Sequence, residues 1–204
     1  MNIHTYSLGE LQAHCYLVES DGQALLIDPA DDGSFLLEEL QRRNLNLVAL
    51  LATHGHFDHV MATGEIQMSF DIPLSIHKKD QFLIDRLEST AEHFLGHKPI
   101  IVPPKSTVHI DSGELKIKNF KFEILHTPGH TPGGVCYYFP EEKIVFTGDT
   151  LFMGTIGRTD LSYSNKKDLF NSLKELAKLP DEVTVCPGHG EETIIANEKG
   201  ITLF

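Results

Sequence analysis

The sequence is short of basic residues and of cysteine. Its 17 Lys and Arg residues stand against 29 Asp and Glu, which gives a formal net charge of −12. Because like charges repel, this balance argues against nucleic acid and anionic membrane surfaces as partners. The three cysteines, Cys15, Cys136 and Cys186, are odd in number and far apart, so we expect reduced core thiols and no disulfide framework.

Long apolar runs are also absent. Residues 1–6 lack the basic and apolar segments of a signal peptide, and no stretch has the length of a membrane span. We therefore expect a cytoplasmic protein. The length of 204 residues and the hydrophobic content of 41 % predict one domain, residues 1–204, with a sizeable core. The sequence leaves the oligomeric state open.

The apolar periodicity predicts alternating strands and helices. Helices are expected at residues 33–43, 59–70, 78–92 and 165–178. Strands are expected at residues 2–8, 13–19, 24–28, 47–52, 73–77, 107–110, 114–118, 120–126, 135–139, 143–147 and 182–186. The two halves are alike, which favours an α/β (α+β) fold of two packed sheets with helices outside. The irregular segment 93–105 is interpreted as a surface crossover, with a lid beside the site as the alternative.

The stretch Thr53-His54-Gly55-His56-Phe57-Asp58-His59 directly follows an apolar strand. In an extended loop His54 and His56 point to the same side and can share one cation, while Asp58 and His59 face a second. Imidazole and carboxylate ligands suit zinc, iron or manganese, so this string does not choose the metal. The alternative, a polar turn with solvated histidines, is disfavoured because such a dense string rarely arises by chance.

The same pattern of strand, glycine and then His or Asp recurs at three later positions. Together with the first loop it supplies seven candidate metal ligands: His54, His56, Asp58, His59, His130, Asp149 and His189. Seven ligands are enough for two metals if Asp149 bridges them. Asp28, at the end of a strand before Pro29, is either a turn residue or a carboxylate that orients a ligand imidazole. Those two interpretations remain open.

Four segments, T-H-x-H-x-D-H, T-P-G-H-T-x-G, G-D-T and P-G-H-G, occur in that order between residues 53 and 190. In this they resemble the metallo-β-lactamase superfamily. The resemblance implies an αββα sandwich of two mixed β-sheets with outer helices and with the metals at one edge. It also implies two divalent metal ions, zinc being favoured over iron or manganese. One would be bound by His54, His56 and His130, the other by Asp58, His59 and His189, and Asp149 would lie between them.

Residues 148–152 followed by 157–160 resemble glyoxalase II, its short single-domain relatives and the persulfide dioxygenases. The resemblance to glyoxalase II and its short relatives implies a thioesterase acting on S-(2-hydroxyacyl)glutathione or a similar small acyl thioester. The resemblance to the persulfide dioxygenases implies a dioxygenase with one iron bound by His54, His130 and Asp149. Glyoxalase II has an added C-terminal helical domain that helps to hold glutathione, and with only residues 190–204 after His189 we expect none here. β-Lactams are not expected substrates, because true β-lactamases lack the carboxylate bridge of Asp149.

Thioester hydrolysis is chemically reasonable at such a site. A metal-bridging hydroxide is a nucleophile at neutral pH, because metal binding lowers the pKa of water from about 16 to about 7. One metal can polarise the carbonyl and the other can receive the thiolate, which leaves without protonation. Asp58 is assigned a catalytic role, orienting the hydroxide, besides metal binding. A non-catalytic metal-binding module is a third hypothesis, disfavoured because closed structural sites are usually cysteine-rich.

Substrate contacts are predicted at three positions. Arg158 would bind a substrate carboxylate or, as the favoured interpretation, would pair with Asp160 and fix the loop 151–163. Phe152 and Tyr163 are expected to wall the pocket.

Overall fold

The computed structural model describes residues 1–200, which form two six-stranded mixed sheets and a small ribbon. The first sheet has the order β1-β2-β3-β4-β5-β6, antiparallel from β1 to β3 and parallel from β3 to β6. Its strands are β1 (Asn2–Leu8), β2 (Ala13–Ser20), β3 (Gln23–Ile27), β4 (Asn46–Leu51), β5 (Leu74–His77) and β6 (Thr107–Ile110).

The second sheet has the order β14-β13-β10-β9-β8-β7, in which only β10 and β13 are parallel. β11 and β12 form the separate antiparallel ribbon. In chain order these strands are β7 (Gly113–Ile117), β8 (Phe120–His126), β9 (Val135–Phe139), β10 (Ile144–Gly148), β11 (Leu151–Phe152), β12 (Thr155–Ile156), β13 (Thr184–Pro187) and β14 (Thr193–Ile194).

The helices lie outside the two sheets. They are α1 (Gly33–Arg42), α2 (Thr63–Ser69), α3 (Gln81–Ile84), α4 (Leu87–Leu95), α5 (Lys166–Leu176) and α6 (Ile195–Glu198), and 3₁₀ turns cover Phe57–His59 and Lys78–Asp80. Within residues 1–200, no helix combines the length and apolarity that crossing a membrane would require.

Strand alternation explains the layers, because neighbouring side chains of a strand point to opposite faces of the sheet. In β2, Val18 packs between the two sheets against residues such as Tyr137, whereas Leu17 packs outward in the cluster that contains α1 and α2. Val145 of β10 packs outward against Leu169 of α5. Both sheets are therefore buried on two faces, and the predicted αββα sandwich is confirmed.

The predicted strands match those of the structure to within a few residues, but two predicted helices were wrong in extent. The helix expected from residue 59 begins only at Thr63, because the backbone of Val60, at φ −139°, leaves the helical region after the 3₁₀ turn. The helix expected at 78–92 is divided into a 3₁₀ turn, α3 and α4, since Arg86 is not helical at φ −111° and ψ 13°. Segment 93–105 begins as the last turn of α4, which ends at Gly96 with φ +75°.

Candidate metal centre

Four loops meet at one edge of the sandwich, where strands β4, β8, β10 and β13 end. The parallel pairing of β10 with β13 places Gly148 beside Pro187, and the amide of Gly188 donates to the carbonyl of Gly148 at 2.8 Å. Across the sandwich, Val135 N–H donates to the carbonyl of Thr53 at 2.8 Å. These backbone bonds bring together loops that lie far apart in the sequence, from Thr53 to Gly188, so the fold itself assembles the site.

The first cluster contains three imidazoles and one carboxylate. His56 Nδ1 lies 3.1 Å from His54 Nε2 and 3.0 Å from His130 Nε2. Asp149 Oδ2 lies 3.5 Å from the same His130 nitrogen. One atom from each of these four residues is within 4.8 Å of every other, as the ligands of a single ion must be.

The second cluster lies on the other side of Asp149. Its Oδ1 is 3.4 Å from His59 Nε2, and Asp58 Oδ2 is 3.7 Å from that nitrogen. His189 Nε2 completes the group at 3.4 Å from Asp58 Oδ2 and 3.8 Å from Asp149 Oδ1. Asp149 therefore turns one carboxylate oxygen to each cluster, which is the arrangement of a bridging ligand.

The atoms present fit a pair of metal ions. Among residues 1–200, His59 Nε2 and Asp149 Oδ1 are buried without a hydrogen-bond partner. An unsatisfied buried polar atom costs free energy, and a cation bound between these two would satisfy both. The donor set of imidazole nitrogens and carboxylate oxygens is one that zinc, iron and manganese accept.

Asp28 orients His59. Its carboxylate accepts hydrogen bonds from Thr53 N–H at 2.6 Å and Thr53 Oγ1 at 2.7 Å, and it lies 3.0 Å from His59 Nδ1. Asp28, His54 and His59 also lie close enough to form a metal-sized group. Because three partners already occupy the Asp28 carboxylate, we interpret it as the group that turns His59 Nε2 towards Asp149 and not as a ligand.

The three imidazoles of the first cluster are oriented in the same way by their second nitrogens. His54 Nδ1 lies 3.0 Å from Thr53 Oγ1, and His130 Nδ1 lies 3.0 Å from the carbonyl oxygen of Arg158. His56 Nε2 lies 2.8 Å from the hydroxyl of Tyr163. Partners of this kind fix the tautomer and the ring plane of a metal ligand.

Electrostatics prepare most of the candidate ligands for a cation. Burial holds the pKa of His54 well below its usual value and lowers the pKa of His56 to about 3. Although burial opposes ionisation, the neighbouring charge of His59 lowers the pKa of Asp149 far below its normal value and lowers that of Asp58 as well. Neutral imidazoles and ionised carboxylates are the forms that bind metal.

The pKa values of His59 and His189 are raised, in contrast to those of His54 and His56. Burial alone would lower the pKa of His59, but the charges of Asp58, Asp149 and Asp28 raise it well above the usual value. The pKa of His189 is raised against the effect of burial by its hydrogen bond to Asp58 and by the charge of Asp149. A cation entering the second cluster therefore competes with protons for these imidazoles.

A cavity of about 290 Å³ opens onto both clusters. Besides His56, Asp58, His130, Asp149 and His189, the cavity is lined by Leu11, Phe57, Thr90, Phe94, Arg158 and Leu161. A second recess of about 300 Å³ adjoins it and shares Leu11, Phe57 and Asp58. The start of segment 93–105 thus flanks the site through Phe94, while Pro99 and Ile100 line the second recess.

Of the three residues predicted to contact substrate, Arg158 lines the cavity, whereas Phe152 and Tyr163 do not. Arg158 lines the cavity and also forms a bidentate pair with Asp160, with its Nε 2.7 Å and its Nη2 2.8 Å from the carboxylate oxygens. Tyr163 is not among the lining residues, because its hydroxyl is directed at His56. Phe152 is not among them either, and its ring centre lies 6.4 Å from that of His189.

Sequence reasoning missed the apolar lining and one buried carboxylate. Leu11 and Phe94 are each 45 % exposed. Leu11 lies in a turn between two strands, and Phe94 lies in α4 beyond residue 92, where the helix was predicted to end, so neither was marked as a lining residue. Asp80 is fully buried and bonds to two of the histidine loops. Asp80 stands three residues beyond the end of β5 at His77 and lacks the glycine that precedes Asp149, so the pattern that marked the other site loops did not mark it.

Comparison with known proteins gives a family and several close relatives. The sequence model described as "Metallo-beta-lactamase superfamily" matches residues 8–189. "Probable metallo-hydrolase YqgX" of Bacillus subtilis is 36 % identical over 94 % of this chain and 92 % of its own length. "Hydroxyacylglutathione hydrolase GloC" of Haemophilus influenzae is 37 % identical over 98 % of this chain and 95 % of its own.

Three solved structures are similar over nearly the whole chain. TTHA1623, crystallised in a di-iron-bound form, has a TM-score of 0.88 and 40 % identity and covers 96 % of both chains. The B3 metallo-beta-lactamase BLEG-1 has a TM-score of 0.89 and 33 % identity, covering 98 % of this chain and 97 % of its own. ETHE1 from Myxococcus xanthus has a TM-score of 0.77 and 28 % identity, covering 98 % and 82 %.

Proposed function

Because the chain belongs to the metallo-β-lactamase superfamily, we propose that it is a dinuclear metal-dependent hydrolase that cleaves small acyl thioesters such as S-(2-hydroxyacyl)glutathione. The observation that carries the proposal is the carboxylate of Asp149, which directs Oδ2 to the first cluster and Oδ1 to the second. The di-iron form of TTHA1623, at 40 % identity, supports two ions in such a site. Zinc is the metal that we favour.

The proposed ligands are those expected from the sequence. His54, His56 and His130 would bind one ion, Asp58, His59 and His189 would bind the other, and Asp149 would bridge. Bound ions of this kind supply an activated water as nucleophile and a positive charge for the developing oxyanion and thiolate. Asp58 has the second role of orienting that water, since its carboxylate lines the cavity and is ionised at neutral pH.

The cavity lining favours a thioester over substrates with poorer leaving groups. Apart from the proposed ligands, the only polar side chains that residues 1–200 contribute to it are Thr90 and Arg158. Neither is a useful proton donor at neutral pH, because a hydroxyl is too weak an acid and a guanidinium keeps its proton. A thiolate leaves without being protonated, whereas the amine of a cleaved amide does not. The name of the relative GloC supports a glutathione thioester as the first substrate to test.

No side chain of the cavity is suited to attack the substrate itself. In the described part of the chain, the lining contains no serine, cysteine or lysine. The three cysteines are buried elsewhere, and burial raises the pKa of the Cys136 thiol to about 12. Hydrolysis therefore depends on water, and the apolar lining residues Phe57 and Leu161 limit how much water reaches the carbonyl.

Binding of glutathione itself is expected to be weak. Arg158 is the single Lys or Arg among the cavity residues, and Asp160 already holds it in a bidentate pair. With a net charge of −12 on the chain, an anionic thiol carrier gains little from the surroundings. We therefore expect a high KM for glutathione esters.

A persulfide dioxygenase is the second candidate. His54, His130 and Asp149, the expected ligands of its single iron, lie in one cluster, and ETHE1 is a structural neighbour. The hydrolase is favoured because Asp58, His59 and His189 form a complete second cluster, which a single iron leaves unused.

A thiol-release assay tests the proposal. Metal-reconstituted protein is given S-lactoylglutathione, short acyl-coenzyme A esters and, as a control, a β-lactam, while oxygen uptake is followed with glutathione persulfide. The proposal predicts thiol release from at least one acyl thioester and none of the other two activities. Absence of thioester turnover together with persulfide-dependent oxygen uptake by the iron-loaded protein would overturn it in favour of the dioxygenase. Hydrolysis of the β-lactam alone would overturn the substrate class.

A further inference from the structure

We propose that Asp80 is a positioning residue that fixes the geometry of the first metal cluster by holding two of its histidine loops together. This inference rests on the proposed metal centre but not on a thioester being its substrate. Asp80 ends the 3₁₀ turn after β5 and has no exposed surface. It is outside the seven proposed ligands and does not line the cavity.

The carboxylate of Asp80 bonds to both loops at once. Oδ2 accepts the backbone N–H of Gly55 at 3.0 Å, and Gly55 stands between His54 and His56. The same oxygen accepts the hydroxyl of Thr131 at 2.7 Å, and Oδ1 accepts the N–H of Gly133 at 2.5 Å. Thr131 directly follows His130, so one carboxylate connects the loops that carry all three imidazoles of the first cluster.

Close approach of the two glycines shows that the contact is tightly packed. A Cβ atom on Gly133 would lie 2.6 Å from Asp80 Oδ1, and one on Gly55 would lie 2.9 Å from the carbonyl oxygen of Asp80. Neither glycine has a positive φ, so close packing and not backbone conformation requires them. Asp80 therefore holds the two loops through the backbone N–H groups of Gly55 and Gly133 and the Thr131 hydroxyl. It contacts no imidazole ring in these bonds, whereas Asp28 lies against the ring of His59.

The position of His56 explains why holding the two loops together matters for metal binding. His56 Nδ1 must stay within about 3 Å of nitrogens on two different residues, His54 in its own loop and His130 in the other. A shift of one loop relative to the other would spread the three nitrogens apart. Metal affinity depends on such distances, and loss of a supporting hydrogen bond typically lowers it about 10- to 100-fold.

The test is zinc affinity, measured with zinc alone against a competing chelator, in Asp80→Asn. Asparagine keeps the size of the side chain but offers one amide oxygen, so its amide N–H groups must face a donor in one of the two loops. We expect zinc affinity of the first site to fall by about 10- to 100-fold. We also expect the visible absorption spectrum of the cobalt-substituted protein to change, because that spectrum reports ligand geometry.

Glu198→Gln is the matched control. Glu198 is 4 % exposed, and its carboxylate accepts Gly154 N–H at 3.0 Å and the Thr193 hydroxyl at 2.8 Å. It therefore resembles Asp80 in burial and in partners, but its partners are outside the histidine loops. Loss of a buried carboxylate lowers stability in both variants, whereas only Asp80→Asn is expected to change zinc affinity and the cobalt spectrum.

Thr131→Val is a milder second variant, which removes one of the three bonds and keeps the side-chain shape. It is expected to lower zinc affinity less than Asp80→Asn does, and it decides the question if Asp80→Asn does not fold. Wild-type zinc affinity and an unchanged cobalt spectrum in the folded variants would overturn the inference. Such a result would leave the proposed hydrolase intact, because the thioester assay on the wild-type protein is independent of it.

Discussion

Replacement of His189 by alanine separates the proposed hydrolase from the dioxygenase. His189 Nε2 lies 3.4 Å from Asp58 Oδ2 and 3.8 Å from Asp149 Oδ1, so its loss leaves the second cluster with one imidazole instead of two. The first cluster contains no atom of His189. The variant is therefore expected to keep one metal ion and to bind the second poorly.

The effect on folding should be small. The side chain of His189 is 29 % exposed, and the loop is held by backbone bonds of Gly188 to Gly148 and His14, which alanine leaves in place. Substitutions of partly exposed residues away from the core usually change stability by about 1 kcal/mol or less. Activity should respond much more strongly, because the departing thiolate loses a positive partner. Removal of one such stabilising group typically costs about 10²- to 10³-fold in kcat, or about 3 to 4 kcal/mol.

The measurement is kcat for thiol release, together with metal content and the midpoint of thermal unfolding. His109→Ala is the matched control, because His109 is exposed and contacts Gln81, outside both clusters. We expect His189→Ala to lose at least about 10²-fold in kcat and one metal per chain, and His109→Ala to lose neither. Wild-type thiol release by His189→Ala with a single bound metal would refute the reasoning, because the second cluster would then have no part in the reaction.

Three further predictions concern Asp28, His77 and the three cysteines. Asp28→Asn is expected to weaken zinc binding about 10- to 100-fold, because Asp28 orients His59; unchanged affinity in a chelator titration would exclude that role. Burial and the neighbouring His126 lower the pKa of His77 to about 4. Neutral His77 therefore favours the folded state above pH 6.5, and that stability is lost as pH falls towards 4. His77→Gln should therefore show a smaller drop in the free energy of urea unfolding between pH 7 and pH 5 than the wild type, and an equal drop would contradict this. All three cysteines are buried and free, so a thiol reagent should label none in the native protein and three in urea; rapid native labelling would show that a thiol is accessible.

The strands and the site loops could be predicted from the sequence because each carries its own local signal. Apolar runs of strand length mark β4, β10 and β13, and a glycine with His or Asp marks where each one ends. Parallel strands in one sheet place such ends at the same edge. The grouping of Asp149 with His189, which follow the parallel neighbours β10 and β13, therefore needed no knowledge of side-chain packing. Strand β4 lies in the other sheet, so His54 was grouped with them through the resemblance to the superfamily.

The contacts that orient the imidazoles could not be predicted in the same way. Tyr163 bonds to His56 across 107 residues, and the partner of His130 is a backbone carbonyl, which every residue possesses. Such partners depend on the direction of individual side chains, on which sequence spacing is silent. Elements β11, β12, β14 and α6 were not predicted for another reason, since two to four residues are too few to show a period.

The predicted helix boundaries were wrong where contacts of site side chains determine the backbone conformation. The helix predicted from residue 59 begins later because His59 ends a 3₁₀ turn and is held by Asp28, and α2 begins only at Thr63. Asp80 likewise turns into the protein and ends the 3₁₀ turn before α3. Helix propensity is a weak preference that such tertiary contacts override.

The number of metal ions bound per chain tests the central claim most directly. Wild-type protein is reconstituted with excess zinc, freed of unbound metal and measured by plasma emission against its protein concentration. Two clusters that share Asp149 predict a value close to two zinc ions per chain. A stable value of one, unchanged when iron or manganese replaces zinc, would contradict the dinuclear centre and with it the proposed hydrolase.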